Sequence, residues 1–299
     1  MTDKFLPMLA VPGEPFDSPQ HLFEVKWDGV RALAAVEHGG WQVWGRDLAD
    51  YHPRYPELEV LGRLPCGTVV DGELVVLQTG RPTLDAILRR HSLVSPRKIQ
   101  YASRQLPVTY VLFDLLYWQG QPLLNQPLSQ RRARLEELLQ GLREPQLAFS
   151  AGVVGPGREF FDRAVAQGHE GVMAKYLAGP YVPGRRVSSW RKIKPRLLLP
   201  CVIIGYTAAR NGLHGLVVAA EWEGILQYAG TLTVGLSTEV RARLGPLLAR
   251  RIRPTPVIAC PHRGTWVEPE LYCQVRCLER TPRGRLRGAC FQGLLGEAE

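Results

Sequence analysis

Four short apolar runs constrain what this chain can fold into: "GTVVDGELVVL", "VTYVLFDLLYW", "GVMAKY" and "CVIIGYTAA". They are rich in β-branched and aromatic residues and lie among glycines and prolines, which predicts strands. Other stretches carry the helical period. "PLSQRRARLEELLQGL" places Leu135, Leu138, Leu139 and Leu142 on one face, with Ser129 as the expected N-cap. "GREFFDRAVAQG" stops at Gly168, and "TLDAILRR" follows Thr83 as a third helix. Near "KIKPRLLLPCVIIGY" the character changes. Strands and helices mix before it. After it come short apolar runs, turn glycines and one clear helix, "STEVRARLGPLLARRI", behind Ser237. The pattern predicts a mixed domain over residues 1–196 and a small β-barrel over residues 197–299.

A length of 299 residues suits two domains or one large one, and 45% hydrophobic residues suit a globular chain. No apolar run reaches the about 18 residues of a membrane span. The opening "MTDKFLPMLAVPGEPFDSP" lacks the apolar core of a signal peptide, so a cytoplasmic protein is expected. Lys and Arg number 37 against 28 acids, a formal charge of +9. That surplus suits a polyanion such as nucleic acid, and equally a generally basic enzyme. The six cysteines (Cys66, Cys201, Cys260, Cys273, Cys277, Cys290) would remain thiols in a reducing compartment. Cys273-x-x-x-Cys277, with His262 beside Cys260, is a loose spacing for zinc, so buried free thiols are the default reading.

Charged residues inside the apolar runs carry the chemistry. In "FEVKWDGVRALA", Lys26 and Asp28 precede Gly29 and Arg31. Arg46 stands in "GRD", Glu73 in "VVDGELVV", Glu170 and Lys175 in "EGVMAK", and Lys192 and Lys194 in "WRKIKP". A lysine amine attacks the α-phosphate of a nucleotide only when neutral, a form favoured by desolvation or by neighbouring cations. Lys192 and Lys194, two apart on a strand, face one way and would supply such cations and hold phosphate oxygens. Glu73 and Glu170 would hold Mg²⁺. Gly29 and Gly72 would let backbone approach the ligand, and Phe113 in "LFDLLY" would stack on a base. Read singly, the two acids also suit solvent-facing strand positions, Phe113 a core place, and the lysine pair a solvated edge. Acids beside glycine within apolar runs favour the functional reading, because charges in such strands tend to be functional or paired.

Together, in this order, these motifs resemble the nucleotidyltransferase motifs of the ATP-dependent DNA ligases. The opening "PMLAVPGEPFDSPQHLFEVKWDGVRALA" most resembles the ligase domain of bacterial ligase D, and the similarity runs from about Pro7 to about Gly293. The resemblance implies an α+β fold: a nucleotidyltransferase (adenylation) domain of antiparallel sheets flanked by helices, then an OB-fold β-barrel. It implies that Lys26 carries AMP and that Glu24 lies by the adenine. Arg31 and Arg46 would contact the ribose and the DNA 5′-phosphate region. Glu73 would hold the ribose or metal, Phe113 would stack on adenine, and Lys175 would border the nucleotide. Glu170 would bind the metal, and Lys192 and Lys194 the α-phosphate. Asp28 belongs to the first motif without a firm role.

One family motif, a terminal Arg-x-Asp-Lys, has no counterpart: the frame places Leu295, Glu297 and Ala298 there. Losing cations beside the leaving pyrophosphate is expected to weaken self-adenylation first and to spare sealing. Arg283, Arg285 and Arg287 offer either a substitute or DNA contacts. The resemblance implies an enzyme that uses ATP with Mg²⁺ (or Mn²⁺) to seal nicked duplex DNA in repair or end joining. A monomer without membrane attachment, an amino-terminal DNA-binding domain or a fused polymerase is expected, with Ku and a separate end-joining polymerase as candidate partners. Two alternatives share the residues: an RNA-ligase or capping-type nucleotidyltransferase, and a degenerate domain that only binds DNA ends.

Overall fold

The computed structural model describes residues 3–142, 144–209, 212–261, 263–281 and 283–296. His262, Glu297 and Ala298, named above, lie outside the described residues. The chain divides into two compact units, Met1–Lys194 and Pro195–Glu299.

The first unit holds two sheets. One has five strands in the order Leu9–Pro12, Arg186–Ile193, Val172–Tyr176, Ser18–Val25 and Gly152–Gly155. The other runs Gly40–Trp44, Val30–Glu37, Thr68–Gln78, Val108–Trp118 and Gln121–Pro122. Pairing is antiparallel except where Leu9–Pro12 meets Arg186–Ile193 and where Leu147–Phe149 meets Val108–Trp118. Strand alternation sorts the side chains of the second sheet. Ala32, Ala34, Val36, Val70, Leu74 and Val76 face a core with the helical segments. Leu33, Ala35 and Val69 face another core with Met8, Phe113, Tyr181 and Trp190. Burial on both faces explains why "GTVVDGELVVL" reads as a nearly continuous apolar run.

Four α-helices flank these sheets: α1 (Leu84–His91), α2 (Pro96–Gln105), α3 (Leu128–Gln140) and α4 (Gly157–Ala166). Helix α3 begins earlier than the sequence suggests. Pro127 is its N-cap and Ser129 lies inside its first turn. Proline fixes φ for helix entry and Leu128 is buried, so packing sets the start. Helix α2, "PRKIQYASRQ", has only Ile99 and Ser103 buried, too thin a stripe to announce itself.

The second unit is a curled, half-barrel sheet with its own core of Ile203, Leu216, Val218, Leu232, Val275 and Phe291. Its long strand Leu197–Ala209 pairs with Gly212–Trp222 on one edge. On the other edge it pairs with Tyr272–Cys277 and then Thr265–Val267. Helix α5 (Thr238–Ala249) packs on it, and the Ser237 side chain accepts from Val240 N at 3.2 Å, a true N-cap. All six cysteines are free, and burial pushes the Cys201 and Cys273 thiols up to about 11 and about 12. No described helix is long and apolar enough to cross a membrane.

Candidate active site

The strand Ser18–Val25 ends one residue before Lys26, whose N–H donates to Gly171 O at 2.9 Å. Two glycines fix this turn. A Cβ on Gly29 would lie 2.2 Å from Leu74 O, so the turn presses onto the Glu73 strand. Gly171, at φ +140°, would put a Cβ 2.1 Å from Ile193 O. The glycines of the Lys26 and Glu170 motifs therefore serve strand-to-strand approach. Gly72 does likewise, facing Val111 O, so the sequence-based idea that Gly29 and Gly72 make room for a ligand is corrected.

The close packing brings three charges together. Lys26 Nζ and Lys194 Nζ each ion-pair with one oxygen of Glu170. Burial alone would raise the Glu170 pKa, but the two ammonium groups outweigh it and hold it below the usual value. Asp28 moves the other way, raised by burial and by the Glu170 charge.

Sheet register builds the wall beside this cluster. Glu24, Met173 and Lys192 sit opposite one another across three strands and share a face; Lys175 and Trp190 form the next row. The Glu24 carboxylate is nearly fully buried and pairs with Lys175 Nζ through one oxygen and Arg132 Nη1 (2.8 Å) through the other. Lys175 Nζ lies 4.0 Å from the Phe113 ring centre and 4.1 Å from that of Trp190. Burial outweighs Glu24 and brings the Lys175 pKa down to about 8. Phe113 is a β-bulge: Leu112 pairs with Gly72 and Asp114 with Asp71, leaving Phe113 as the extra residue. The bulge gives Phe113 both readings raised above, since it joins a core and also borders a cleft.

Opposite, Arg31 Nε and Nη2 each donate to one Asp71 oxygen at 2.5 Å, and Tyr181 OH donates to Asp71 Oδ2 at 2.6 Å. Burial alone would weaken the Arg31 charge, but Asp71 outweighs it and keeps it fixed. Glu73 pairs in register with Arg31. Burial raises its pKa to about 7, with Arg31, Lys26 and Arg46 only partly offsetting the shift. Arg46 is exposed at the rim.

These walls enclose a cleft of about 260 Å³ within the first unit. Glu24, Lys26, Arg31, Arg46, Glu73, Phe113, Lys175, Lys192 and Lys194 all line it, and Glu170 is tied to it through Lys26 and Lys194. The arrangement can receive an anion among Lys26, Lys192 and Lys194 and a flat ring beside Phe113. The sequence reading missed Arg132, Asp71, Trp190 and Tyr181. Asp71 had a signal, an acid two residues before Glu73 in the same apolar run.

No described group of three or more His, Cys, Asp or Glu side chains is arranged to hold a metal ion. Mg²⁺ does not need one: it keeps several waters and binds through one or two carboxylates plus substrate phosphates. Glu73 lines the cleft with its charge disfavoured by burial, a cost that a divalent cation would offset, whereas both Glu170 oxygens are held by Lys26 and Lys194, so Glu170 would take a cation only by releasing an ammonium group.

Residues 7–194 match the model of the ATP dependent DNA ligase domain, and residues 209–295 that of the ATP dependent DNA ligase C terminal region. The multifunctional non-homologous end joining protein LigD of Pseudomonas aeruginosa is 34% identical over 98% of this chain and 36% of its own length. A DNA ligase of Methanoculleus marisnigri is 30% identical over 84% of this chain and 46% of its own. This chain thus spans little more than a third of the LigD relatives. Among solved structures, the ligase domain of Mycobacterium tuberculosis LigD has a TM-score of 0.59 at 32% identity, covering 98% of this chain and 96% of that one. A mycobacterial DNA ligase D complexed with ATP and MES has a TM-score of 0.57 at 32% identity, covering 100% and 97%.

Proposed function

Because the chain belongs to the ATP-dependent DNA ligase family, we propose that it seals nicks in duplex DNA through a lysyl-AMP on Lys26 and a DNA-adenylate. The observation that supports this reading best is the ion-paired cluster Lys26–Glu170–Lys194 at the edge of a cleft that also holds Phe113.

Residues 1–196 act as the adenylation domain and residues 197–299 as the OB-fold domain. Phe113 stacks on adenine, while Glu24, held by Lys175 and Arg132, accepts from its amino edge. Lys192 and Lys194 hold the α-phosphate. Lys26 loses a proton, and its Nζ attacks the α-phosphorus. A P–N bond forms and the P–O bond to pyrophosphate breaks. A DNA 5′-phosphate oxygen then attacks the same phosphorus, a P–O bond forms, the P–N bond breaks, and the Lys26 amine leaves with a proton regained from solvent. Finally the 3′-hydroxyl attacks the 5′-phosphate, releasing AMP and a proton. Arg31 and Arg46 face the ribose and the DNA 5′-phosphate. Glu73 and Glu170 would hold Mg²⁺ or Mn²⁺, which supplies Lewis acidity to the phosphoryl oxygens. The setting is DNA repair or end joining in the cytoplasm, by a monomer, with Ku and an end-joining polymerase activity as partners.

The test is the intact mass of the protein with ATP and Mg²⁺, then with pyrophosphate. One added AMP that pyrophosphate removes is expected, and it is absent in Lys26→Ala. An adduct of wild-type strength in Lys26→Ala would reject the nucleophile. No adduct in the wild type, with duplex DNA still bound, would favour a binding module.

A further inference from the structure

Arg131 and Arg132 are adjacent, both buried, and both on α3. Their partners differ in kind. Arg131 grips both Asp114 oxygens, at 2.7 and 2.9 Å, and the carbonyls of Gln126 and Gly179. None of these lines the cleft. Arg132 Nη1 donates to Glu24 Oε2 at 2.8 Å and to Phe113 O at 3.1 Å. Its Nη2 donates to Ser150 O at 2.5 Å, and its guanidinium lies 4.5 Å from the Phe149 ring centre. Ser150 Oγ in turn accepts from Trp27 Nε1 at 3.0 Å, and Trp27 follows Lys26.

We propose that Arg132 is a positioning residue for base selection, fixing at once the carboxylate edge of Glu24 and the stacking ring of Phe113. The proposal rests on the nucleotide-binding reading above. A planar guanidinium reaches three acceptors on separate segments in one geometry; a lysine ammonium lacks that fork. Both Glu24 oxygens are engaged by donors, Arg132 on one and Lys175 on the other, so Glu24 meets a base as an acceptor. It therefore accepts from a 6-amino purine and leaves the 6-keto oxygen of hypoxanthine unpaired, and such mismatches discriminate strongly. Loosening Glu24 relaxes that preference, because a mobile carboxylate can turn away from the keto group.

The experiment measures initial rates of lysyl-nucleotide formation by the full chain with ATP and with ITP, and takes the ratio of kcat/KM values. Arg132→Met is expected to lower the ATP preference by about tenfold or more, and Arg132→Lys by less. Arg131→Met is expected to lower stability and leave the ratio unchanged. In a Glu24→Gln background, Arg132→Met is expected to change the ratio no further. Should Arg132→Met fail to fold, Arg132→Lys decides. An unchanged ratio in the folded Arg132 variants would overturn the proposal, as would an equal shift in Arg131→Met. A wild type that labels with neither nucleotide would overturn the nucleotidyltransferase reading, and this proposal with it.

Discussion

Lys175 carries its ammonium into a site 1% exposed, between two aromatic rings and one carboxylate. Its pKa falls to about 8 there, against about 10.4 in an unfolded chain. Below about pH 8 both states hold the proton, and the full burial penalty is present. Between about pH 8 and 10.4 the folded state has released it while the unfolded state keeps it, so this contribution to stability rises with pH. Urea titrations of wild type and Lys175→Met at pH 7 and pH 9.5 check the sign. The difference should shift in favour of the wild type, by at most about 3 kcal/mol. The reverse shift would mean that Glu24 outweighs burial. Glu170 presents the opposite case, a carboxylate saturated by Lys26 and Lys194. Glu170→Gln frees both ammonium groups and weakens the proposed metal site. It should cut lysyl-AMP formation by about 10² or more while moving the melting temperature little. Normal nick sealing by this variant would remove Glu170 from the mechanism. These residues were legible because each breaks an apolar run. Arg132 was hidden, because its meaning depends on what it touches across 108 positions of sequence.

At the scale of elements, α3 shows what the pattern held and what was overlooked. Leu128, Arg131, Arg132 and Leu135 are buried at helical spacing, so two arginines occupy a core face. Two charges within a leucine stripe were a signal that buried acids lay nearby, and Asp114 and Glu24 are those acids. Removing one partner of a fully buried pair leaves an uncompensated charge. Arg131→Met should therefore cost about 3–5 kcal/mol by urea unfolding, and an effect below about 1 kcal/mol would mean that Asp114 finds another partner. The Ser237 cap of α5 predicts a smaller loss, about 1 kcal/mol for Ser237→Ala. The bulge at Phe113 and the crossing at Gly171 were illegible for another reason. Both are set by which strands become neighbours, and a motif read along one strand does not contain that.

At the scale of the molecule, the charge surplus is shared by the two units, 24 basic against 20 acidic residues in 1–194 and 13 against 8 in 195–299, whereas the cleft lies in the first alone. All cleft-lining residues lie within Met1–Lys194, which has cores of its own. Residues 195–299 carry thirteen arginines and no lysine, against eight glutamates and no aspartate. Two of these arginines lie over aromatic rings, Arg280 at 4.2 Å from the Trp222 centre and Arg285 at 3.9 Å from that of Tyr228. Guanidinium groups held over aromatic rings suit phosphate binding. Nucleotide binding and duplex binding should therefore separate on truncation. A fragment of residues 1–194 is expected to bind ATP to within about twofold of the full chain, because it keeps every residue that lines the cleft. Its affinity for nicked duplex should fall, and so should the steepness with which that affinity declines as salt is raised. Each DNA phosphate that the fragment no longer neutralises takes about 0.9 from the slope of log affinity against log salt. Calorimetry with ATP and fluorescence anisotropy across a salt series measure the two quantities on the same samples. A slope equal to that of the full chain would place duplex recognition wholly in the first unit, and would leave the arginines of the second unit as a solvated face.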